Sequence, residues 1–334
     1  MYGLAYLLLL IHLWASGQSV LGSNWETWWN YDVAGVSGPS YWGLINPTMW
    51  EMCAKGRLQS PVDIDPTRLL FDPNLKPLYM DKHPTEGWLE NLGQMLTIFV
   101  NESQKPVRIS GGPLGAYDFH LHEIRLHFGS DSSKGSEHSI DGRKFPAELQ
   151  AIGYNAKLYD TFDRASKNPN GLVALSIFIH TSDDKDALNG ELRRIGSLIP
   201  KVLHKGQKVP MQHVSLPLYL SQTSQYVTYS GSLTSPGCFE TVTWIIFNHP
   251  AYISDQDLNR LRDVQSSSTK SDPPILMSNN FRPLQPLNKR TIRTNIDFQY
   301  TSASDDTKCK QNNGKVLYRA NPTFPWTERA DKSM

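Results

Sequence analysis

The stretch Glu123-Ile124-Arg125-Leu126-His127-Phe128-Gly129 alternates polar and apolar residues and carries β-branched and aromatic side chains. A period of two reads as a strand with one face buried, so Glu123, Arg125 and His127 share a face. Such a trio in an apolar sheet is a candidate site; a solvated polar face gives the same alternation, and periodicity alone does not separate the two. Further short alternating runs at 96–100 and 107–110 are broken by turns such as Gly111-Gly112-Pro113. Residues 172–179 and 241–247 are apolar throughout and β-rich, the pattern of strands covered on both faces. Helical spacing joins Leu188, Leu192, Ile195, Leu198, Ile199 and Val202, with Thr181 or Ser182 as the expected cap. Leu258, Leu261 and Val264 follow a second cap at Ser254. The chain is therefore mixed α/β and β-dominated.

The strand leads into Gly135-Ser136-Glu137-His138 and then Ala147-Glu148-Leu149-Gln150. The combination "IRLHFGS", "GSEH" and "AELQ" resembles the core of the α-type carbonic anhydrases, where a His-x-His pair and a third histidine in Ala-Glu-Leu-His hold zinc. The resemblance implies a large, mostly antiparallel twisted central sheet with peripheral helices. It also places Arg125, His127 and Gln150 at the three ligand positions. A guanidinium stays protonated and has no lone pair to donate, and a carboxamide oxygen suits hard ions better than zinc. The expectation is a site without metal, no cofactor and no hydration of carbon dioxide. Gln94, after Asn91-Leu92-Gly93, stands where active relatives often carry a proton-shuttling histidine, and an amide cannot relay protons by titration. Glu137 and Thr234 match a carboxylate–threonine pair over the metal, and Glu148 a carboxylate behind a ligand. Without metal their simplest role is structural, with Arg125 as a partner for a buried carboxylate.

His120 and His122 form a second His-x-His pair. In a continuous strand their even parity turns them away from Arg125 and His127, whereas a bulge would change this. The family register keeps the site on the odd set. A zinc-dependent carbonate dehydratase or esterase with a rearranged metal site is the alternative reading.

Residues 2–14 are an apolar block too short to span a bilayer comfortably, followed by the small residues Ala15-Ser16-Gly17, so residues 1–17 read as an export signal. An uncleaved anchor or a buried strand is the other reading of that block. No later run has transmembrane length, so no membrane insertion is expected, and a formal net charge of +1 gives no basis for nucleic acid binding. Three cysteines in an exported chain invite disulfide arithmetic. The resemblance implies Cys53–Cys238 and leaves Cys309 as a free thiol or a covalent link to another chain. Asn101-Glu102-Ser103 is a glycosylation sequon after a strand. The aromatic-rich segment 24–50, with Trp25, Trp28, Trp29, Tyr31 and Trp42, suits an irregular arm over an apolar surface; a carbohydrate-binding patch is the other reading.

The resemblance covers roughly residues 25 to 295, ahead of a polar tail, 296–334. Arg125, Gln150 and the tail "IRTNIDF…CKQNNGKVLYRAN" look like the secreted carbonic anhydrase-related proteins of the X/XI type. Those lack carbonic anhydrase activity, and vertebrate forms bind neurexins at synapses. The resemblance implies a secreted, non-catalytic binding module whose partner is a neurexin-like cell-surface receptor; a mixed disulfide with that receptor through Cys309 is one reading of the tail cysteine, and a capped or idle thiol the other.

Overall fold

The computed structural model describes residues 28–220, 222–268 and 274–297. The export segment, Trp25, Cys309 and the tail beyond Asp297 lie outside these residues. The strands are β1 (Asp63–Ile64), β2 (Leu70–Phe71), β3 (Leu78–Met80), β4 (Thr85–Asn91), β5 (Leu96–Val100), β6 (Arg108–Gly111), β7 (Asp118–Phe128) and β8 (Ser139–Ile140). They continue with β9 (Ala147–Asn155), β10 (Leu172–Thr181), β11 (Lys208–Val214), β12 (Tyr226–Gly231), β13 (Val242–Phe247), β14 (Ala251–Ile253) and β15 (Arg293–Thr294). One large twisted sheet runs β11-β4-β5-β7-β9-β10-β13-β12-β15-β2, with β14 also on β10, β6 on β7 and β3 on β6. Within that sheet pairing is antiparallel except between β10 and β13, β10 and β14, and β2 and β15, and β1 and β8 form a separate parallel pair. The β-dominated class and mostly antiparallel sheet are as the sequence led us to expect.

The uniform apolarity of β10 follows from its cover on both sides. Val173, Leu175, Ile177 and Ile179 enter one core with Leu192, Ile195, Leu258 and Leu261 of the two main helices. Leu172, Ala174 and Phe178 enter the other, with Tyr229 and Trp244. The helix Asp255–Arg262 begins as expected, with Ser254 accepting from Asp257 N. The first helix does not. It spans Gly190–Leu198 behind Asn189, whose side chain accepts from Glu191 N and Leu192 N, while Thr181 ends β10. Ser182 instead closes a turn by accepting from Asp184 N, so local side-chain bonding uses up the expected cap.

Cys53 and Cys238 are bonded, with Cα atoms 5.0 Å apart across 185 residues, a closure of about 5 kcal/mol in the chain-entropy model. The disulfide anchors the N-terminal arm. Its buried Tyr31, Trp42 and Trp50 pack with Met95 and Cys238, and Trp29, Tyr31 and Trp42 meet edge to face. These rings are packing groups. Among the described residues no helix is long and apolar enough to cross a membrane.

Candidate functional site

The two strands that carry the site, β7 and β9, are out of step by one residue along their length. Leu121 lies opposite Gly153, but Glu123 lies opposite Ile152, so His122 is the extra residue of a bulge. Residues directly opposite share a face. Arg125 faces Gln150, His127 faces Glu148 and His120 faces Tyr154, and on β9 these partners are all even-numbered. His120 therefore stands on the same face as Arg125 and His127, and residue parity does not separate the two histidine pairs. Distance separates them instead. Tyr154 lies four residues from Gln150 along β9, about 13 Å at strand rise. His122 stacks on Phe162 with centroids 4.0 Å apart and meets Glu102 at 2.5 Å.

At the other end of the face the expected site residues converge. Arg125 is bound by Glu123, at 2.6 Å from Nη2 and 2.9 Å from Nε, and donates from Nη1 to Ser235 Oγ at 3.1 Å. It therefore partners Glu123, and not Glu137 or Glu148 as expected from sequence. His127 Nδ1 lies 2.6 Å from the Asn280 carbonyl, which only accepts, so Nδ1 carries the proton. Its Nε2 points at Glu137 Oε2 from 3.6 Å, beyond hydrogen-bond reach. Gln150 Nε2 donates to Glu137 Oε2 at 2.8 Å and Glu148 Oε1 at 3.0 Å, bridging two fully buried carboxylates. Glu137 Oε1 accepts from Arg282 N at 2.8 Å. Thr234 Oγ1 is buried with no hydrogen-bond partner, so the expected Glu137–Thr234 pair is not made. Both carboxylate oxygens already have donors.

Sequence reasoning gave no role to His138, Tyr229, Asn280, Arg282 or Tyr31, each drawn in from a distant segment. Glu148 accepts from the backbone of Glu137 and His138 on Oε2, and from His138 Nδ1 and Ser176 Oγ on Oε1. His138 Nε2 continues to Tyr229 Oη at 2.7 Å, and Tyr229 to Ser60 Oγ at 2.9 Å. Burial works against the charge on Glu148, but the charge of His138 and its hydrogen bonds outweigh it and hold the carboxyl at about 2. Asn280 pins its segment to β7 by accepting from Phe128 N and donating to Leu126 O. Arg282 donates to Gln59 Oε1 and to the Ser60 carbonyl; burial lowers it to about 10, which leaves it charged at neutral pH. Tyr31 Oη donates to the Thr234 carbonyl at 3.4 Å, its ring edge-on to His127. Its phenol is raised well above the usual value, by burial first and then by Glu137. His138 lies within the resembling "GSEH" motif, which was its only available signal.

The donor set does not fit zinc. Arg125 offers no lone pair, the Gln150 amide nitrogen is turned to two carboxylates, and His127 Nε2 is the one good ligand atom left at the three positions. Among the described residues no three His, Cys, Asp or Glu side chains are grouped to hold a metal ion. Away from this floor, Gln94 is half-buried and donates to the Trp29 carbonyl at 3.3 Å. Asn101 stands just past β5, its side chain accepting from Ser103 N in an exposed turn.

A family model for the eukaryotic-type carbonic anhydrases matches residues 37–296. The Caenorhabditis elegans protein named "Putative carbonic anhydrase-like protein 2" is 40% identical over 292 residues, 86% of this chain and 86% of that protein.

Proposed function

The chain belongs to the eukaryotic-type carbonic anhydrase family, and from that premise we propose that it is a secreted, non-catalytic binding module of the X/XI type. Its partner in this reading is a neurexin-like cell-surface receptor, held in addition by a disulfide through Cys309. The export signal at 1–17 and a glycan on Asn101 belong to the same proposal.

The observation that carries it is the state of the three ligand positions. Arg125 is neutralised by Glu123, and Gln150 is turned to Glu137 and Glu148. Catalytic zinc needs three protein donors and an open fourth position to bring bound water to a pKa near 7. One imidazole does not meet that requirement. Neither Glu137 nor Thr234 is then left with an ionised water to orient.

Dialysis of the purified chain against zinc, followed by elemental analysis and a stopped-flow hydration assay, tests the catalytic half. Substoichiometric zinc and the uncatalysed rate are expected; stoichiometric zinc with hydration would establish the rearranged-site enzyme instead. The Arg125→His/Gln150→His double variant is the positive control for metal uptake. Affinity capture from neuronal cell surfaces tests the binding half, with a covalent adduct expected for the parent chain and lost in Cys309→Ser. An adduct that survives in Cys309→Ser rejects the disulfide, and the absence of saturable capture rejects the receptor.

A further inference from the structure

Four polar atoms at this floor are buried and without a hydrogen-bond partner in the protein: Thr97 Oγ1, His127 Nε2, Gln150 Oε1 and Thr234 Oγ1. They belong to one place. Thr97 faces Arg125 across β5 and β7, Gln150 faces it across β7 and β9, and Tyr31 touches both His127 and the Thr234 carbonyl. Buried polar groups are paired in native proteins, with ordered water where protein groups do not reach.

The hydrogen-bond character of two of these atoms is determined by their surroundings. The two carboxylates on Gln150 accept only, so its nitrogen must face them and its carbonyl oxygen is left over as an acceptor. The Asn280 carbonyl claims the proton on His127 Nδ1, so in the neutral ring Nε2 carries the lone pair. Thr234 Oγ1 makes no hydrogen bond within the protein, and its hydroxyl has a proton to give to a molecule that donates to the other two atoms. The floor therefore presents two acceptors and a hydroxyl that can donate. A proton-free anion such as chloride has nothing to donate to the two acceptors, and Arg125, which would attract an anion, is bound to Glu123 and Ser235.

We propose that the floor binds one fixed water molecule at the position of the family's metal, donating to His127 Nε2 and Gln150 Oε1 and accepting from Thr234 Oγ1. Water is the small molecule with two protons and a lone pair to match that set, and it ties β7, β9 and the Thr234 loop together without a charge. The inference rests on the metal-free reading of the site.

A high-resolution crystal structure of the full secreted chain, collected with an anomalous scan for metals, tests it. Density at about 2.7–3.2 Å from Nε2 and Oε1, with no anomalous signal, is the expected result. A peak at about 2.0–2.4 Å identifies a cation and sinks both this inference and the metal-free reading. No density sinks the water alone. In Thr234→Val, which keeps the side-chain shape, the peak is expected to fall at least twofold in occupancy. Water-oxygen relaxation dispersion in solution is expected to count one long-lived internal water fewer in that variant, and an unchanged peak and count would overturn the three-partner site.

Discussion

Two clusters sit side by side on the same face of the sheet, and they differ in how completely their hydrogen bonds are made. Around Glu148 both carboxylate oxygens are fully engaged: His138, Ser176, the Gln150 amide nitrogen and two backbone amides converge on them, and Tyr229 and Ser60 extend the chain. Around His127 the acceptors and the Thr234 hydroxyl are left without partners. The saturated cluster needs only protein groups to be complete. The floor beside it keeps a geometry that protein groups alone do not fill, with Arg125 and Gln150 each turned to a carboxylate. A buried network holds its fold most strongly when every member is satisfied, so the first cluster should dominate stability and the second should tolerate change.

The largest effect that would break this contrast is His138→Ala, which leaves Glu148 buried without its charge partner. A loss of about 3–5 kcal/mol is expected, seen in calorimetry as a drop on the order of 10 °C in Tm. A drop as small as that of a surface variant would remove the distinction between the clusters.

Acid gives a second, smaller handle. Glu148 is held at about 2, below its usual 4.5, so its contribution to stability is complete above the usual value and is lost as pH falls toward about 2. Urea midpoints should decline through that window in the parent chain and decline less in Glu148→Gln. Parallel curves would show that Glu148 is not the titrating group.

Gln150→Leu sharpens the comparison from the floor's side. It removes one donor from Glu137 and one from Glu148, and about 2–3 kcal/mol is expected in urea unfolding, less than for His138→Ala. An effect larger than that of His138→Ala would make Gln150 the keystone. The smallest effect belongs to Thr234→Val, which removes no hydrogen bond within the protein and is expected to change stability by less than about 1 kcal/mol. A loss of several kcal/mol would mean that the hydroxyl is engaged within the fold.

Legibility in the sequence followed the range of the interactions. The central strand β10 and the Ser254 cap were readable because apolar covering and capping act within a few residues. The Asn189 cap was missed because Ser182 and Asp184 competed for nearby amides, an outcome that propensity does not settle. At the site, Arg125 and Gln150 could be recognised as poor zinc donors from their chemistry alone. The pairing of Arg125 with Glu123, two residues away on the same face, was within reach of the sequence, whereas the Ser235 hydroxyl that takes its third nitrogen comes from 110 residues away and was not.

By itself the sequence determined which functional groups are present: one imidazole at the ligand positions, a guanidinium and a carboxamide beside it, and strands apolar enough to be covered on both faces. Only the tertiary structure decided where those groups point. The bulge at His122 reverses the parity of β7 and brings His120 onto the same face as Arg125, and the Asn280 segment selects the nitrogen of His127 that carries the proton. Chemical identity is local to a residue, whereas register and hydrogen-bond partner are set by contacts between distant segments, and a one-residue slip in a strand turns every later side chain to the other face.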